Sequence, residues 1–414
     1  MKKCESGLRS GLLGEHLGHS YSPQIHALLG RYEYKLYEKS PDEVEDFIKN
    51  GEWDGINVTI PYKKVAASLC DELSDIARKL GSANTLVRKN GKIYGYNTDY
   101  YGFMSMVERS EISVKGKKAI VLGSGGASVT VCAVLETLGA GVTVISRSGE
   151  DNYTNLTKHA DAEIIVNTTP VGMYPKNGES AIDLRDFPNC KGVFDLIYNP
   201  LRTKLISQAE ELGIPHKSGL HMLVAQAKKS SELFRDTTLD DELIEYIEAR
   251  LSRELRNIIL IGMPGSGKSV VAQAISRKIG REIIEVDAEI ERVAGKTIPE
   301  IFASGGESEF RAIETKALAE AGKQSGKIIS TGGGCVTVPE NYPLLHQNGV
   351  IIRIKRDVAV LPTDGRPISQ SSDMTELARK REPMYRRFAD FEVDNDGSLA
   401  DTAEEIVEKL LTEY

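Results

Sequence analysis

The hydrophobic and polar positions of this chain form short apolar runs that alternate with stretches of helical periodicity. This alternation is typical of α/β folds, in which strands and helices follow one another along the chain. The runs predict strands over residues 34–37, 55–59, 118–122, 142–146, 164–167, 193–196, 258–261, 283–286, 328–330 and 350–354. We find no internal repeat, so the pattern predicts successive α/β regions rather than a repeat architecture.

A long amphipathic helix is predicted over residues 240–255, where acidic residues come first and basic residues last. This order complements the helix dipole at both ends. Asn257 opens the next predicted strand almost at once, so no flexible linker intervenes. We therefore place a domain boundary near Glu254 and expect two regions, residues 1–254 and 255–414.

The composition is that of an ordinary globular protein, and it narrows the function classes. The 414 residues carry a net charge of −8 and are 40% hydrophobic, which is enough chain for two or three separate cores. The acidic balance argues against nucleic acid as a partner, because phosphate binding needs clustered Lys and Arg. No apolar run is long enough to span a bilayer, and the N-terminus lacks the apolar core of a secretory signal.

The cysteines predict a cytoplasmic location. They are odd in number, scattered and without metal-ligand spacing: Cys4, Cys70, Cys132, Cys190 and Cys335. Unpaired thiols are typical of proteins from a reducing cytosol.

A glycine-rich loop follows the predicted strand 118–122 and precedes a helical pattern. Its residues are Gly123, Ser124, Gly125, Gly126 and Ala127. Glycines permit a tight turn, and the helix N-terminus offers N–H groups to a pyrophosphate, so a dinucleotide is predicted. At the end of the next strand Arg147 stands where NAD sites usually carry an acidic residue. A guanidinium suits a 2′-phosphate, which favours NADP over NAD.

Several polar clusters accompany this loop. They read HSYSP at 19–23, NVTIPYK at 57–63, GSANT at 81–85, NTD at 97–99 and GLHMLVAQ at 219–226. As an ordered set they resemble shikimate dehydrogenase over residues 1–254. The resemblance implies a substrate part over about 1–105 plus 220–254, a Rossmann part over about 106–219, and reduction of 3-dehydroshikimate with NADPH.

The resemblance also implies roles for single residues. Lys63 and Asp99 are implied as the acid–base pair that serves the alkoxide left by hydride addition. The other implied contacts are Ser20 and Ser22 with the substrate carboxylate, Thr59, Asn84, Asp99 and Gln226 with the ring hydroxyls, Tyr198 closing the site, and Leu196 and Gly219 along the nicotinamide. Two departures from the family pattern, His16 and His221, remove no reacting group. Quinate stays open as an alternative substrate, although the paired serines favour shikimate.

A second nucleotide loop lies between the predicted strand 258–261 and a helical pattern. Residues 262–269 read GMPGSGKS, which satisfies the P-loop spacing. The implied ATP-binding residues are Gly265, Ser266, Gly267, Lys268, Ser269 and Val270. Lys268 is expected to reach the β- and γ-phosphates, and Ser269 to ligate Mg²⁺. The loop alone leaves the acceptor open, since a nucleotide switch or any small-molecule kinase would carry it.

Residues beyond this loop complete a resemblance to shikimate kinase over residues 255–414. The motifs are EVD at 285–287, GESEFRAIE at 306–314, GGG at 332–334, DGRP at 364–367 and KREPMYR at 380–386. The resemblance implies Arg311 and Arg381 on the acceptor carboxylate, Asp287 at the attacking hydroxyl, Gly332, Gly333 and Gly334 against the ring, and Arg366 on a lid over ATP. Glu285 stands where the family has Asp near the Mg²⁺ shell, so it is expected to act through water. The lid, residues 355–370, is short and contains Pro362.

Together the resemblances predict an N-terminal α/β substrate domain with a Rossmann NADP domain, followed by a P-loop nucleoside-monophosphate-kinase-like α/β domain. The product implied for the first region is the substrate implied for the second. A bifunctional enzyme of aromatic amino-acid biosynthesis is therefore predicted, with NADP(H), ATP and Mg²⁺ as cofactors. The alternatives are one active enzyme with a nucleotide-binding regulatory module, or a quinate/shikimate dehydrogenase with a kinase of another small acid. Only small molecules are expected as partners, and monomer and homodimer both remain open.

Overall fold

A computed structural model of the protein describes residues 7–18, 20–361 and 374–412. Arg366 and Pro362 of the predicted lid, His19 and Cys4 lie outside these ranges. The chain divides into two compact units. The first comprises Met1–Pro170, Ala181–Tyr198 and Gln208–Arg250, and the second Val171–Ser180, Asn199–Ser207 and Leu251–Tyr414.

The first sheet has six strands in the order β2-β1-β3-β5-β6-β4. The strands are β1 Arg9–Gly14, β2 Glu33–Glu38, β3 Gly55–Val58, β4 Glu72–Leu73, β5 Thr85–Lys89 and β6 Lys92–Tyr96. The helices of this part are α1 Ser22–Leu29, α2 Val44–Asn50, α3 Lys63–Ser68, α4 Asp75–Leu80 and α5 Thr98–Glu108. β5 runs antiparallel to both β3 and β6. The fully buried Trp53 packs with Leu13 and Ile56 in the core of this part.

The second sheet is parallel, with the order β11-β10-β9-β7-β8. Its strands are β7 Lys118–Leu122, β8 Gly141–Ile145, β9 Ile164–Asn167, β10 Gly192–Asp195 and β11 His216–Ser218. The helices of this stretch are α6 Gly126–Thr137, α7 Lys204–Glu211, α8 Leu220–Arg235 and α9 Glu242–Leu255. Buried Val121, Val134 and Phe194 share one core with Phe103 of α5.

The third sheet is also parallel, with the order β13-β14-β12-β15-β16. Its strands are β12 Asn257–Ile261, β13 Ile283–Glu285, β14 Ile328–Ser330, β15 Gly349–Lys355 and β16 Phe391–Asp394. The accompanying helices are α10 Lys268–Ile279, α11 Val286–Ala294, α12 Ile298–Lys323, α13 Asn341–His346, α14 Met374–Phe388 and α15 Leu399–Thr412. Ile259 and Ile351 face one core, and Ile258 and Ile352 face another, as in sheets covered on both faces.

The predicted α/β class is confirmed, and every predicted strand is present with ends that shift by at most one residue. The predicted helix over residues 240–255 is α9. Strands β1, β4, β5, β6, β11 and β16 were not predicted. Within the described ranges, no helix combines the length and apolarity that a membrane span requires. The last passage of the chain from the first unit to the second lies between Arg250 and Leu251, inside α9, and the boundary near Glu254 stays a prediction.

Candidate active sites

Lys63 and Asp99 meet at the carboxyl end of β3. Lys63 opens α3, directly after the NVTIPYK turn, and Asp99 lies in the first turn of α5. The Lys63 Nζ donates to Asp99 Oδ2 over 2.6 Å. The lysine side chain keeps 27% of its surface exposed and the aspartate 15%, so the pair is reachable by a small molecule. The two predicted residues are therefore in contact, and their acid–base role stays a prediction.

Asn84 fixes the other oxygen of Asp99. Its Nδ2 donates to Asp99 Oδ1 over 2.8 Å, while its own Oδ1 accepts from the Thr98 backbone N–H at 2.6 Å. The helix α5 is capped independently, since the Asn97 side chain accepts from the Tyr100 N–H. These bonds set the direction in which the Asp99 carboxylate points. A fixed carboxylate can hold the adjacent ammonium in one place.

A buried cluster of hydroxyl groups lies next to Asn84. Ser230 of α8 lies 2.9 Å from Thr85 Oγ1 and 3.0 Å from Thr98 Oγ1, and it accepts from Asn57 Nδ2 at 2.7 Å. Ser230 is completely buried. The sequence analysis did not single out Ser230, because a serine inside a helix has no local signal. The cluster ties α8, which carries Gln226, to Asn57 of β3 and Thr85 of β5, the residue after Asn84.

The remaining predicted substrate residues are distributed around this pair. Gln226 Oε1 lies 3.5 Å from Thr98 Oγ1, which places the glutamine next to the Asp99 turn. Ser22 is buried at the start of α1, and its backbone N–H donates to Ser20 Oγ at 3.2 Å. Thr59 directly follows β3, on the way to Lys63, and donates its backbone N–H to the Leu13 carbonyl.

Tyr198 lies against Tyr21, the residue between the two serines. The ring centroids are 5.7 Å apart, with the planes tilted by 58°. Burial and the neighbouring Tyr21 raise the pKa of the Tyr198 phenol above its ordinary value. The phenol therefore stays protonated at neutral pH and can donate a hydrogen bond.

The first glycine loop has the geometry of an anion site at a helix start. Gly123 has φ +103°, a conformation that favours glycine, and a Cβ there would approach Thr168 Oγ1 to 2.9 Å. Gly125 caps α6, and the space that a Cβ of Gly125 or Gly126 would enter is open. The open space and the free helix N-terminus fit a pyrophosphate. Ser124 lies beside a cleft of about 380 Å³ that also borders α6.

Arg147 is exposed just after β8, where it can reach a ligand on the loop. Its charge acts on the pKa of Tyr153, so the two side chains are close. Ser146 is buried and its backbone N–H donates to the Asp151 carbonyl, which turns the chain back after the strand. The turn leaves the guanidinium on the solvent side of the sheet edge.

Leu196 and Gly219 are in direct contact at the ends of β10 and β11. A Cβ on Gly219 would lie 2.1 Å from the Leu196 carbonyl oxygen, so the position admits no side chain. The Gly219 N–H donates to the Ile197 carbonyl at 3.1 Å. The two predicted nicotinamide residues are thus brought together.

The P-loop between β12 and α10 has the expected conformation. Gly262, Gly265 and Gly267 have φ values of +150°, +84° and +93°, so each adopts a backbone that favours glycine. Lys268 Nζ donates to the Gly262 carbonyl at 2.9 Å and to the Met263 carbonyl at 3.1 Å. The lysine is therefore held across the loop, at the place where phosphates bind in such loops.

A cavity of about 540 Å³ runs from the P-loop to the predicted acceptor residues. The predicted residues that line it are Gly265, Gly267, Lys268, Ser269, Val270, Glu285, Asp287, Arg311, Gly332, Gly333, Gly334 and Arg381. Ser266 is fully buried instead, with Asn395 donating to its carbonyl at 2.8 Å. Arg366 lies outside the described residues. Apart from Ser266 and Arg366, the predicted kinase residues share one cavity.

Two arginines are held in place at this cavity by different means. Arg311 packs over Gly334, where a Cβ would lie 2.0 Å from Nη2, and donates to Glu314 at 2.6 Å. Gly306 has φ +69° within α12 and kinks the helix shortly before Arg311. Arg381 of α14 is buried and donates to the Gly333 carbonyl at 3.1 Å.

Glu314 is a site residue that the sequence analysis did not assign, although it lies inside the GESEFRAIE motif. Its side chain is completely buried, and its Oε1 lacks a hydrogen-bond partner while its Oε2 binds Arg311. A Cβ on Gly332 would lie 2.8 Å from that Oε1 and 3.1 Å from Asp287 Oδ1. Both carboxylates therefore face the small space beside Gly332. Burial raises the pKa of Glu314 above its ordinary value, against the lowering effect of Arg311.

Ser269 and Glu285 form a pair of oxygen donors at the P-loop end of the cavity. The Ser269 hydroxyl donates to Glu285 Oε2 at 3.0 Å and lies 3.3 Å from Ser330 Oγ. Mg²⁺ prefers oxygen ligands and usually keeps several waters besides one or two protein groups. The pair fits such an ion together with ATP phosphates. Among the described residues no cluster of His, Cys, Asp and Glu forms an all-protein metal site.

Comparisons with known proteins find similarity in both regions of the chain. The pattern of the shikimate dehydrogenase substrate-binding domain matches residues 12–86, and that of shikimate kinase matches residues 264–412. The shikimate dehydrogenase (NADP(+)) of Clostridium perfringens (strain 13 / Type A) is 35% identical over 266 residues, which cover 58% of this chain and 98% of that protein.

Solved structures show the same similarity. A chorismate mutase/shikimate 5-dehydrogenase fusion protein from Clostridium acetobutylicum is 36% identical, with a TM-score of 0.56, and the match covers 58% of this chain and 96% of that one. The shikimate 5-dehydrogenase of Thermus thermophilus in complex with NADP(H) and shikimate is 29% identical, with a TM-score of 0.55, covering 59% of this chain and 99% of that one.

Proposed function

Because the chain belongs to the shikimate dehydrogenase family and also carries a shikimate kinase region, we propose that it makes shikimate and then phosphorylates it. It is a bifunctional shikimate-pathway enzyme. The proposed direction is NADPH-dependent reduction of 3-dehydroshikimate, followed by ATP-dependent formation of shikimate 3-phosphate. The observation that carries the second step is that Asp287, Arg311 and Arg381 line one cavity with the P-loop.

In the proposed reduction, Lys63 serves the ketone oxygen of the substrate. NADPH, when bound, supplies the hydride that makes this oxygen an alkoxide. The Lys63 ammonium donates its proton to that oxygen, and Asp99, 2.6 Å away, keeps the ammonium aimed before the reaction. Asn84 prevents the carboxylate from turning away. Ser20 and Ser22 hold the substrate carboxylate in this proposal.

The choice of coenzyme is proposed to depend on Arg147. Its exposed guanidinium can pair with a 2′-phosphate, which NAD lacks. Gly123, Gly125 and Gly126 would hold the pyrophosphate at the start of α6. The printed coenzyme of the Clostridium perfringens relative, NADP(+), supports the same choice.

In the proposed phosphorylation, Arg311 and Arg381 hold the shikimate carboxylate and Asp287 accepts a hydrogen bond from the attacking hydroxyl. Glu314 keeps Arg311 in position and offers its second oxygen to a ring hydroxyl. Lys268 leaves the loop carbonyls to contact the phosphates. Ser269, and Glu285 through water, would hold Mg²⁺, which neutralises phosphate charge when bound.

We further propose that only small molecules are substrates and that the enzyme works in the cytoplasm. The four described cysteines are all free thiols, which suits a reducing compartment. Monomer and homodimer are both compatible with the proposal.

The two half reactions test the proposal separately on the purified full chain. NADPH oxidation is followed with 3-dehydroshikimate or with the ketone of quinate as substrate, and ADP formation is followed with shikimate. Asp287→Asn is expected to abolish shikimate-dependent ADP formation and to leave NADPH oxidation intact. The matched control Glu289→Gln changes an exposed carboxylate on the same helix, α11, which pairs with Arg292.

The control is expected to behave as wild type in both assays. Nucleotide binding to the P-loop without phosphorylation of shikimate would contradict the kinase half and favour a regulatory module. A preference for the quinate ketone would contradict the proposed dehydrogenase substrate.

A further inference from the structure

One carboxylate holds both sides of the turn that carries Gly219. Glu248 Oε1 accepts from Lys217 Nζ at 2.8 Å, and Glu248 Oε2 accepts from His221 Nδ1 at 2.7 Å. Lys217 is in β11 and His221 is in the first turn of α8, two residues before and two residues after the glycine. Glu248 itself belongs to α9, so it reaches the turn from a different element.

His221 extends this contact to α5. The imidazole is 1% exposed, and its Nε2 lies 3.0 Å from the buried Ser105 Oγ. An ionised carboxylate accepts only, so Nδ1 carries a proton toward Glu248. In the neutral ring Nε2 then accepts from the Ser105 hydroxyl. The histidine thus connects α5, whose first turn carries Asp99, with the turn that carries Gly219.

The turn tolerates little displacement. A Cβ on Gly219 would lie 2.1 Å from the Leu196 carbonyl oxygen, so the two backbones are already in close contact. A small movement of the turn therefore changes the surface formed by Leu196 and Gly219. The charge-assisted hydrogen bond between Lys217 and Glu248 limits the movement of this turn.

The Glu248 carboxylate is well suited to a fixed position. Burial alone raises its pKa, but the hydrogen bond from His221 and the charge of Lys217 outweigh burial and leave the pKa below its ordinary value. The group is therefore ionised at neutral pH, with both oxygens occupied. Its side chain is only 19% exposed, so water competes weakly for these bonds.

We propose that Glu248 is a positioning residue for the nicotinamide end of the coenzyme site, acting through Lys217 and His221 on the turn at Gly219. The inference rests on the proposed function, because the place of Leu196 and Gly219 beside the nicotinamide comes from the family resemblance. Glu248 touches neither coenzyme nor substrate in this account. It determines where the turn lies when NADPH binds.

The test compares two probes that share the adenosine end and differ at the nicotinamide end. Dissociation constants are measured for NADPH and for adenosine 2′,5′-bisphosphate, which lacks the nicotinamide, on the full chain. Glu248→Gln is expected to raise the Kd of NADPH about threefold to tenfold, the effect of roughly one hydrogen bond, and to leave the fragment unchanged. Lys217→Met removes only the hydrogen bond between Lys217 and Glu248, and it is also expected to raise the Kd of NADPH.

Glu245→Gln is the matched control, since Glu245 lies on α9 and makes an exposed ion pair with Arg109 at 2.9 Å. It is expected to bind both probes as wild type does. A far-UV circular dichroism spectrum and a melting temperature like those of the wild type report that each variant is folded. Equal losses for NADPH and the fragment in Glu248→Gln, or no loss for either, would overturn the inference.

A wild-type chain that binds neither probe would contradict the proposed function itself. That outcome is distinct, because it precedes any comparison between variants.

Discussion

The Lys63 ammonium nitrogen lies 2.6 Å from Asp99 Oδ2, and the second oxygen of Asp99 is held by Asn84 at 2.8 Å. The carboxylate is thus anchored on one side and paired on the other, at a place that a small substrate can reach. This geometry suits the proton donation that is proposed for Lys63.

Replacing Lys63 by Met removes the proton donor while keeping much of the side-chain volume. The kcat for 3-dehydroshikimate reduction is expected to fall about 10²–10⁴-fold, the usual contribution of general acid catalysis. Steady-state NADPH oxidation measures the effect. The neighbouring Lys64 is exposed, and Lys64→Met is expected to leave the rate unchanged. An unaltered kcat in Lys63→Met would remove Lys63 from the proton transfer.

Replacing Arg147 by Gln tests the choice of coenzyme. The KM for NADPH is expected to rise about tenfold to a hundredfold, because a charge-assisted pair with the 2′-phosphate is lost. The KM for NADH is expected to stay the same, since NADH has no such phosphate. Arg185, exposed and paired with Asp183, provides the control Arg185→Gln. Equal changes in KM for NADPH and NADH would show that Arg147 does not bind the 2′-phosphate.

Glu285, whose Oε2 accepts from the Ser269 hydroxyl at 3.0 Å, is expected to tune Mg²⁺ binding through water. In Glu285→Ala the Mg²⁺ concentration for half-maximal kinase rate is expected to rise about tenfold, as for other groups that act on a metal through its ligands. Glu285→Asp is expected to show a smaller change. Titration of the kinase rate with Mg²⁺ measures this, with the exposed Glu282→Ala as control. An unchanged Mg²⁺ concentration for half-maximal rate in Glu285→Ala would contradict a role of Glu285 in Mg²⁺ binding.

The buried Glu314 is expected to make stability depend on pH. Burial raises its pKa above the ordinary 4.5, so the folded state holds this proton more tightly than the unfolded state. The resulting stabilisation is fully present below pH 4.5 and is lost as the pH rises through the higher folded pKa. Glu314→Gln cannot titrate, so its melting temperature relative to wild type is expected to rise with pH across this window.

Calorimetric scans of both proteins at a series of pH values measure that difference. A difference that does not vary with pH would show that Glu314 has the same pKa in the folded and unfolded states.

The sequence predicted the central strands and the nucleotide loops because both have strong local signals. Apolar runs of buried parallel strands and glycines at fixed spacing need no knowledge of the rest of the fold. Most of the missed strands lie at a sheet edge (β4, β11 and β16) or in a hairpin (β5 and β6), although β1, which lies between β2 and β3, was missed too. The turn Asn90–Gly91, with positive φ at both residues, joins β5 to β6, and an Asn-Gly pair is a hairpin signal that the analysis overlooked.

Supporting residues were harder to find than reacting ones. Ser230, Glu314 and Glu248 sit on helices, at positions where a polar residue is ordinarily exposed. The partners of Ser230 and Glu248, such as Thr98 and His221, come from distant parts of the sequence. Only the packing of the helices brings these groups together, so no spacing within the sequence could indicate them. Glu314 differs, because its partner Arg311 lies three residues before it in the same helix.

The most direct test of the proposed two-step conversion is one incubation of the full chain with 3-dehydroshikimate, NADPH, ATP and Mg²⁺, with the products identified by mass. The wild type is expected to produce shikimate 3-phosphate. Lys63→Met is expected to leave 3-dehydroshikimate unreacted, and Lys268→Met is expected to accumulate shikimate. NADPH oxidation without any phosphorylated product from the wild type would contradict it.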